Sequence, residues 1–242
     1  MANKVSQFLQ SSIGKKAVMA ATGLFLCIFL LEHLYTNVSL FYGDGGATFN
    51  ETSHSMVHSL FIRIVEIVLF TAIVVHVYQA VYLTNQNRKA RPVRYAVNGV
   101  SKTSSWNSRN MIVTGAIIFF FIVVHLYNFF VPYRTPFEIN GVVVSPGENG
   151  MLLADKVSEA LGNPWYALLY LVSVVFLAFH LNHGFQSAFQ TIGLNNRRYE
   201  GLLKKFGSFF AFVVVGVGFG SFPVIFYLGK IMEWDVLNWA NH

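Results

Sequence analysis

The sequence is short of charge. Only 12% of its 242 residues are Asp, Glu, Lys or Arg, against about 25% in an ordinary soluble domain, while 54% are hydrophobic and 16% aromatic. That balance excludes a disordered chain and argues against a soluble domain. Cysteine is nearly absent: one residue, Cys27, excludes a disulfide framework, a cysteine-held iron–sulfur cluster and a CxxC zinc site. A phosphate loop is missing too. Gly216-Val217-Gly218-Phe219-Gly220 supplies glycines but has no strand ahead of it and no Lys-Ser/Thr ending. Its small residues read instead as a GxxxG contact between helices.

What the sequence has is long apolar runs. Five stand out, over residues 17–41, 60–83, 111–131, 166–189 and 209–228, each close to the ~20 residues that cross a ~30 Å hydrocarbon core. They predict an all-α fold, an integral membrane bundle of five transmembrane helices forming a single membrane domain over 1–242. The first run is too long for the apolar core of a secretory signal peptide and is read as a retained helix. In the loop Pro132–Trp165, the polar stretch Asp155–Glu159 predicts a short surface helix.

Charge gives the bundle a direction. The N-terminal arm (Lys4, Lys15, Lys16), the second loop (Arg88, Lys89, Arg91, Arg94, Lys102, Arg109) and the fourth loop (Arg197, Arg198, Lys204, Lys205) hold thirteen of the 17 basic residues. The opposite side has Arg63, Arg134, Lys156 and Lys230, with most of the acids. The positive-inside rule therefore puts the N-terminus in the cytoplasm. A net charge of +6 distributed over short loops beside membrane spans reads as topology, not as a nucleic-acid surface.

Five of the eight histidines, His33, His76, His125, His180 and His183, lie inside apolar runs, where ionisable groups are costly and face a bundle interior. The first and third runs share a pattern: Thr22-Gly23, nine residues, His33-Leu34-Tyr35, and Thr114-Gly115, nine residues, His125-Leu126-Tyr127. Both helices run outward, so His33 and His125 share a depth toward the outer face. His76 and His180 descend on the second and fourth helices to an inner level, with His183 one turn further in. A haem iron takes two axial ligands from opposite faces, and imidazoles on facing helices supply them. Two matched pairs predict two haems stacked across the membrane. Gly23 and Gly115 lie ten residues, about 15 Å, from the outer pair, at the level of the inner porphyrin. A histidine proton relay or a divalent-metal transporter is the rival reading, and it should bring carboxylates to the same depth.

Leu30-Leu31-Glu32-His33-Leu34, Val124-His125-Leu126-Tyr127 and Phe179-His180-Leu181-Asn182-His183-Gly184 resemble the di-haem cytochrome b membrane anchor of bacterial succinate:quinone oxidoreductases, the succinate dehydrogenases and fumarate reductases. The similarity runs from about Ser11 through the fourth run. It implies two haem b groups, the outer held by His33 and His125 and the inner by His76 and His180, so these four are the expected iron ligands. On the fourth helix the family's His-x-x-x-Gly spacing fits His180 with Gly184. His183 is an extra residue, either a propionate donor or a packed side chain. The resemblance further implies a flavoprotein subunit and an iron–sulfur subunit on the cytoplasmic side, a membrane quinone, namely menaquinone, as electron partner, and a place in the bacterial inner membrane. The dicarboxylate-converting site then lies in another chain, and the complex could form a higher oligomer.

Two groups are candidates for the quinone site. The outer one is Glu51, His54, His58, Arg63 and Glu66, since quinol oxidation needs a proton acceptor, with Arg63 and Glu66 spaced for an i,i+3 ion pair. The inner one is Ser12 and Lys16, because Ser12-Ile13-Gly14-Lys15-Lys16 resembles a Ser-x-x-x-Arg quinone motif with Lys in place of Arg. Anchoring another quinone-linked dehydrogenase is a further alternative.

Overall fold

The computed structural model describes residues 3–90, 106–134, 137–139, 142–144, 153–194 and 198–241. Of the basic residues that give the bundle its direction, Arg91, Arg94, Lys102 and Arg197 lie outside them.

Five helices are long and apolar enough to cross a membrane: Ser12–Phe41, Leu60–Lys89, Met111–Arg134, Pro164–Thr191 and Glu200–Ile231. Even the shortest, at 24 residues, is about 36 Å long, more than the ~30 Å hydrocarbon core requires. Each extends beyond its apolar run, and at the first and fourth spans side-chain caps set the start. Ser11 accepts a hydrogen bond from the amide of Gly14 at 3.0 Å and donates to the Phe8 carbonyl at 2.6 Å, which starts the first span. A Cβ on Gly14 would sit 1.9 Å from the Phe8 oxygen, so only glycine fits the corner between the short helix Lys4–Gln10 and that span. Asn163 caps the fourth span, with Pro164 in the first turn.

The fourth span is the hub. It packs against the first, third and fifth, while the second packs mainly on the first and touches the third only lightly. A Cβ on Gly216 would lie 3.5 Å from Ala178 Cβ, and one on Gly220 would lie 3.8 Å from Leu171. Gly218, on another face, would bring a Cβ to 2.9 Å from Leu34 of the first span. In lipid, where apolar side chains gain little by leaving the solvent, such close backbone approach supplies much of the association. The fifth span takes π-helical geometry over Phe210–Val217, and the third does so over Leu126–Phe130, immediately beyond His125. Such widened turns occur often at functional sites.

The face carrying the C-terminus is closed by extra elements. The helix Leu153–Gly162 buries Ala154, Val157 and Leu161, so it is a packed element with one polar face rather than a helix lying loosely on the surface. It joins Phe49 of the helix Ala47–His58 and Val236 and Leu237 of the C-terminal segment in one apolar cluster with Phe222 and Phe226. Gly43, Gly45 and Gly46, all at positive φ, turn the chain after the first span. Asp44 among them accepts from the amide and hydroxyl of Thr48 at 2.9 and 2.6 Å, and these bonds hold its carboxyl below the usual carboxylate range. Among the described residues the only strands form a short antiparallel pair, Phe137–Ile139 with Val142–Val144.

Candidate functional site

Between the first four spans lies a partly open cavity of roughly 1620 Å³, larger than the ~300–1,000 Å³ of a usual small-molecule pocket. It extends from Lys16 and Asn87, toward the face carrying the N-terminus, to Glu66 and Arg134 near the other face. All five span histidines line it. The fifth span contributes Phe219, Phe222 and Pro223 only.

The histidines face one another in two pairs. His33 and His125 have ring centroids 5.7 Å apart at an interplanar angle of 85°. His76 and His180 are 6.4 Å apart at 65°. Packing fixes the first pair: Phe29 stacks on His33 at 5.3 Å, Phe219 backs it at 5.7 Å, and Phe121 and Phe129 flank His125. Tyr170 OH lies 3.3 Å from His125 Nδ1. Tyr35 and Tyr127, which follow the paired histidines in the repeated motif, are 78% and 72% exposed and point away from the cavity.

The second pair is seated differently. Thr22 Oγ1 is 3.1 Å from His76 Nδ1, and Thr114 Oγ1 is 3.1 Å from His180 Nδ1. Gly23 and Gly115, expected at the level of the inner porphyrin, lie against these same imidazoles. A Cβ on Gly23 would lie 3.4 Å from His76 Cε1, and one on Gly115 would lie 3.4 Å from His180 Cε1. His183, half-buried, borders the cavity one turn beyond His180.

Among the described residues no Asp or Glu forms an ion pair with any of these histidines, and no three His, Cys, Asp or Glu side chains converge on one point. Glu32, next to His33 in sequence, borders the same cavity, but its carboxylate accepts from the Thr36 hydroxyl at 2.9 Å.

Of the outer quinone candidates, Glu66 lines the cavity. Arg63 lies 3.7 Å from it, as the i,i+3 spacing anticipates, but the closer partner is Arg134 of the third span, which also donates to the Val57 carbonyl at 3.0 Å. Glu51, His54 and His58 sit exposed on the helix Ala47–His58 and do not border the cavity. Of the inner candidates, Lys16 borders it and the exposed Ser12 does not. Arg134 beside Glu66, Tyr170 beside His125, and the contacts of the two threonines with the second histidine pair were not expected from the sequence. The Thr-Gly repeat was the available signal for the last.

Five spans around a histidine-lined interior define an integral, multi-pass membrane helix bundle. The chain belongs to the succinate dehydrogenase/fumarate reductase transmembrane subunit family, whose pattern matches residues 84–215, more than half of its length. It is therefore a membrane subunit of a succinate dehydrogenase/fumarate reductase complex, which implies catalytic partner subunits. The match includes His125, His180 and His183; His33 and His76 precede it. No curated protein and no solved structure is significantly similar to the chain.

Proposed function

We propose that this subunit carries electrons through two b haems between an iron–sulfur subunit and membrane quinone, with His33 and His125 ligating one iron and His76 and His180 the other. The observation that carries the reading is the pair of facing imidazole couples along one cavity. Two metal–nitrogen bonds of about 2.0 Å and half an imidazole on either side sum to roughly 6 Å, and the observed centroid separations are 5.7 and 6.4 Å. The cavity is long enough to serve both levels, which Gly23 and His33 place ten residues, about 15 Å, apart.

The haems, when bound, supply reversible one-electron chemistry. The chain's residues supply neutral imidazoles, orientation and a low-dielectric surround. The basic loops favour a cytoplasmic N-terminal face, where the iron–sulfur and flavoprotein subunits would dock, in a bacterial inner membrane. Menaquinone is the quinone that the family resemblance implies. The quinone site is assigned to the opposite end, at Glu66, because that carboxylate borders the cavity and could take the proton of a quinol hydroxyl as an electron leaves. Arg134 would hold the carboxylate in place. The 242 residues act as one membrane domain.

Haem quantitation of the purified complex tests this reading. Two low-spin b haems per chain are expected. A colourless preparation, or one haem in an intact complex, overturns it and favours the transporter alternative or a mono-haem anchor.

A further inference from the structure

Thr22 and Thr114 occupy equivalent places in the repeated motif, and each meets a histidine of the following span with the same geometry. The hydroxyl oxygens lie 3.1 Å from His76 Nδ1 and from His180 Nδ1. A threonine hydroxyl has one proton to give. Thr22 directs its proton to its own helix, with the Val18 carbonyl at 2.9 Å and the Met19 carbonyl at 3.1 Å, and Thr114 donates to the Met111 carbonyl at 3.1 Å. Both oxygens therefore meet the imidazole as acceptors. Each Nδ1 then carries the proton and each Nε2 is left as a free lone pair. The neighbouring glycines hold the same rings: the nearest ring atoms to a Cβ built on Gly23 or Gly115 are Cε1 at 3.4 Å and Nδ1 at 3.8 Å, identical in the two cases.

We propose that Thr22 and Thr114 are positioning residues for the inner haem, each fixing the tautomer of one axial histidine and raising the basicity of its coordinating nitrogen. This rests on the di-haem reading given above. A second-shell acceptor on a ligand imidazole makes it a better donor to the metal, which favours the ferric state and lowers the midpoint potential. The threonine contact belongs to one pair only. His125 Nδ1 meets Tyr170 OH at 3.3 Å. His33 Nδ1 lies 3.4 Å from Asn37 Nδ2, an amide nitrogen that donates to the His33 carbonyl at 2.6 Å and has no lone pair to accept with. The outer haem is therefore an internal control.

The test compares Thr22→Val, Thr114→Val, Thr22→Ser and Thr114→Ser in the purified complex, by haem quantitation and optically monitored redox titration. Valine keeps the shape and removes the acceptor; serine restores it. The Val variants are expected to shift one haem to a more positive potential and leave the other unchanged, and the Ser variants to titrate as wild type. Loss of one haem from the Val variants with retention in the Ser variants supports the same conclusion. Unchanged potentials in the Val variants, equal shifts or equal losses in Val and Ser, or a shift confined to the haem lost in His33→Ala overturns it. A wild-type complex without haem refutes the underlying di-haem reading instead.

Discussion

Arg134 at the end of the third span reaches across to Glu66 on the second, joining two helices that otherwise touch only lightly. Both side chains are largely sequestered, at 10% and 15% exposure, whereas Arg63, the nearer residue in sequence, is 53% exposed. The bridge therefore lies at the end of the cavity and fixes the carboxylate that borders it.

The two partners separate by experiment. Glu66→Gln should retain both haems and dye-linked dicarboxylate activity but lower quinone-linked turnover by about 100-fold or more, the usual scale for a lost acid–base group. Arg134→Met leaves the Glu66 carboxylate with only its exposed partner and should destabilise the subunit by several kcal/mol, up to about 3–5, seen as earlier thermal loss of the complex in detergent. Quinone turnover at wild-type level in Glu66→Gln would place the quinone elsewhere, with the Lys16 end of the cavity next to be examined.

His180 and His183 make a second discriminating pair. Both border the cavity, about 4.5 Å apart in rise, but only His180 faces another span histidine as a ring pair and is seated by Thr114. His180→Ala should abolish one low-spin haem signal. His183→Ala should keep it, with at most a shifted potential. High-spin or missing haem in His183→Ala alone would reverse the ligand assignment on this helix.

Topology offers an independent check on the charge argument. A reporter active only outside the cytoplasm should work when fused after His242 and fail when fused after Arg198. The opposite pattern would turn the bundle over and move the partner subunits to the other face.

Much of this arrangement was legible in the sequence because lipid imposes a simple rule: a spanning helix must be apolar over its whole crossing. The runs beginning at Leu60 and Met111 coincide with helix starts. The fifth helix starts at Glu200, nine residues ahead of its apolar run, on a polar stretch that hydropathy alone leaves as loop and that carries an exposed Glu200–Lys204 pair at i,i+4. The depths of the histidines were legible from spacing, since helical rise is fixed. What the histidines lean on was not. Thr22 meets His76 across 54 positions and Arg134 meets Glu66 across 68, and only the packing of the spans brings them together. Nothing in the Thr-Gly repeat of one helix announces the imidazole supplied by the next.

The most direct test of the central claim is a redox titration of haem in the four single variants His33→Ala, His125→Ala, His76→Ala and His180→Ala, each in an assembled complex. The pairing across the cavity predicts that His33→Ala and His125→Ala lose the same midpoint potential, and that His76→Ala and His180→Ala lose the other. Loss of different potentials from His33→Ala and His125→Ala would contradict it.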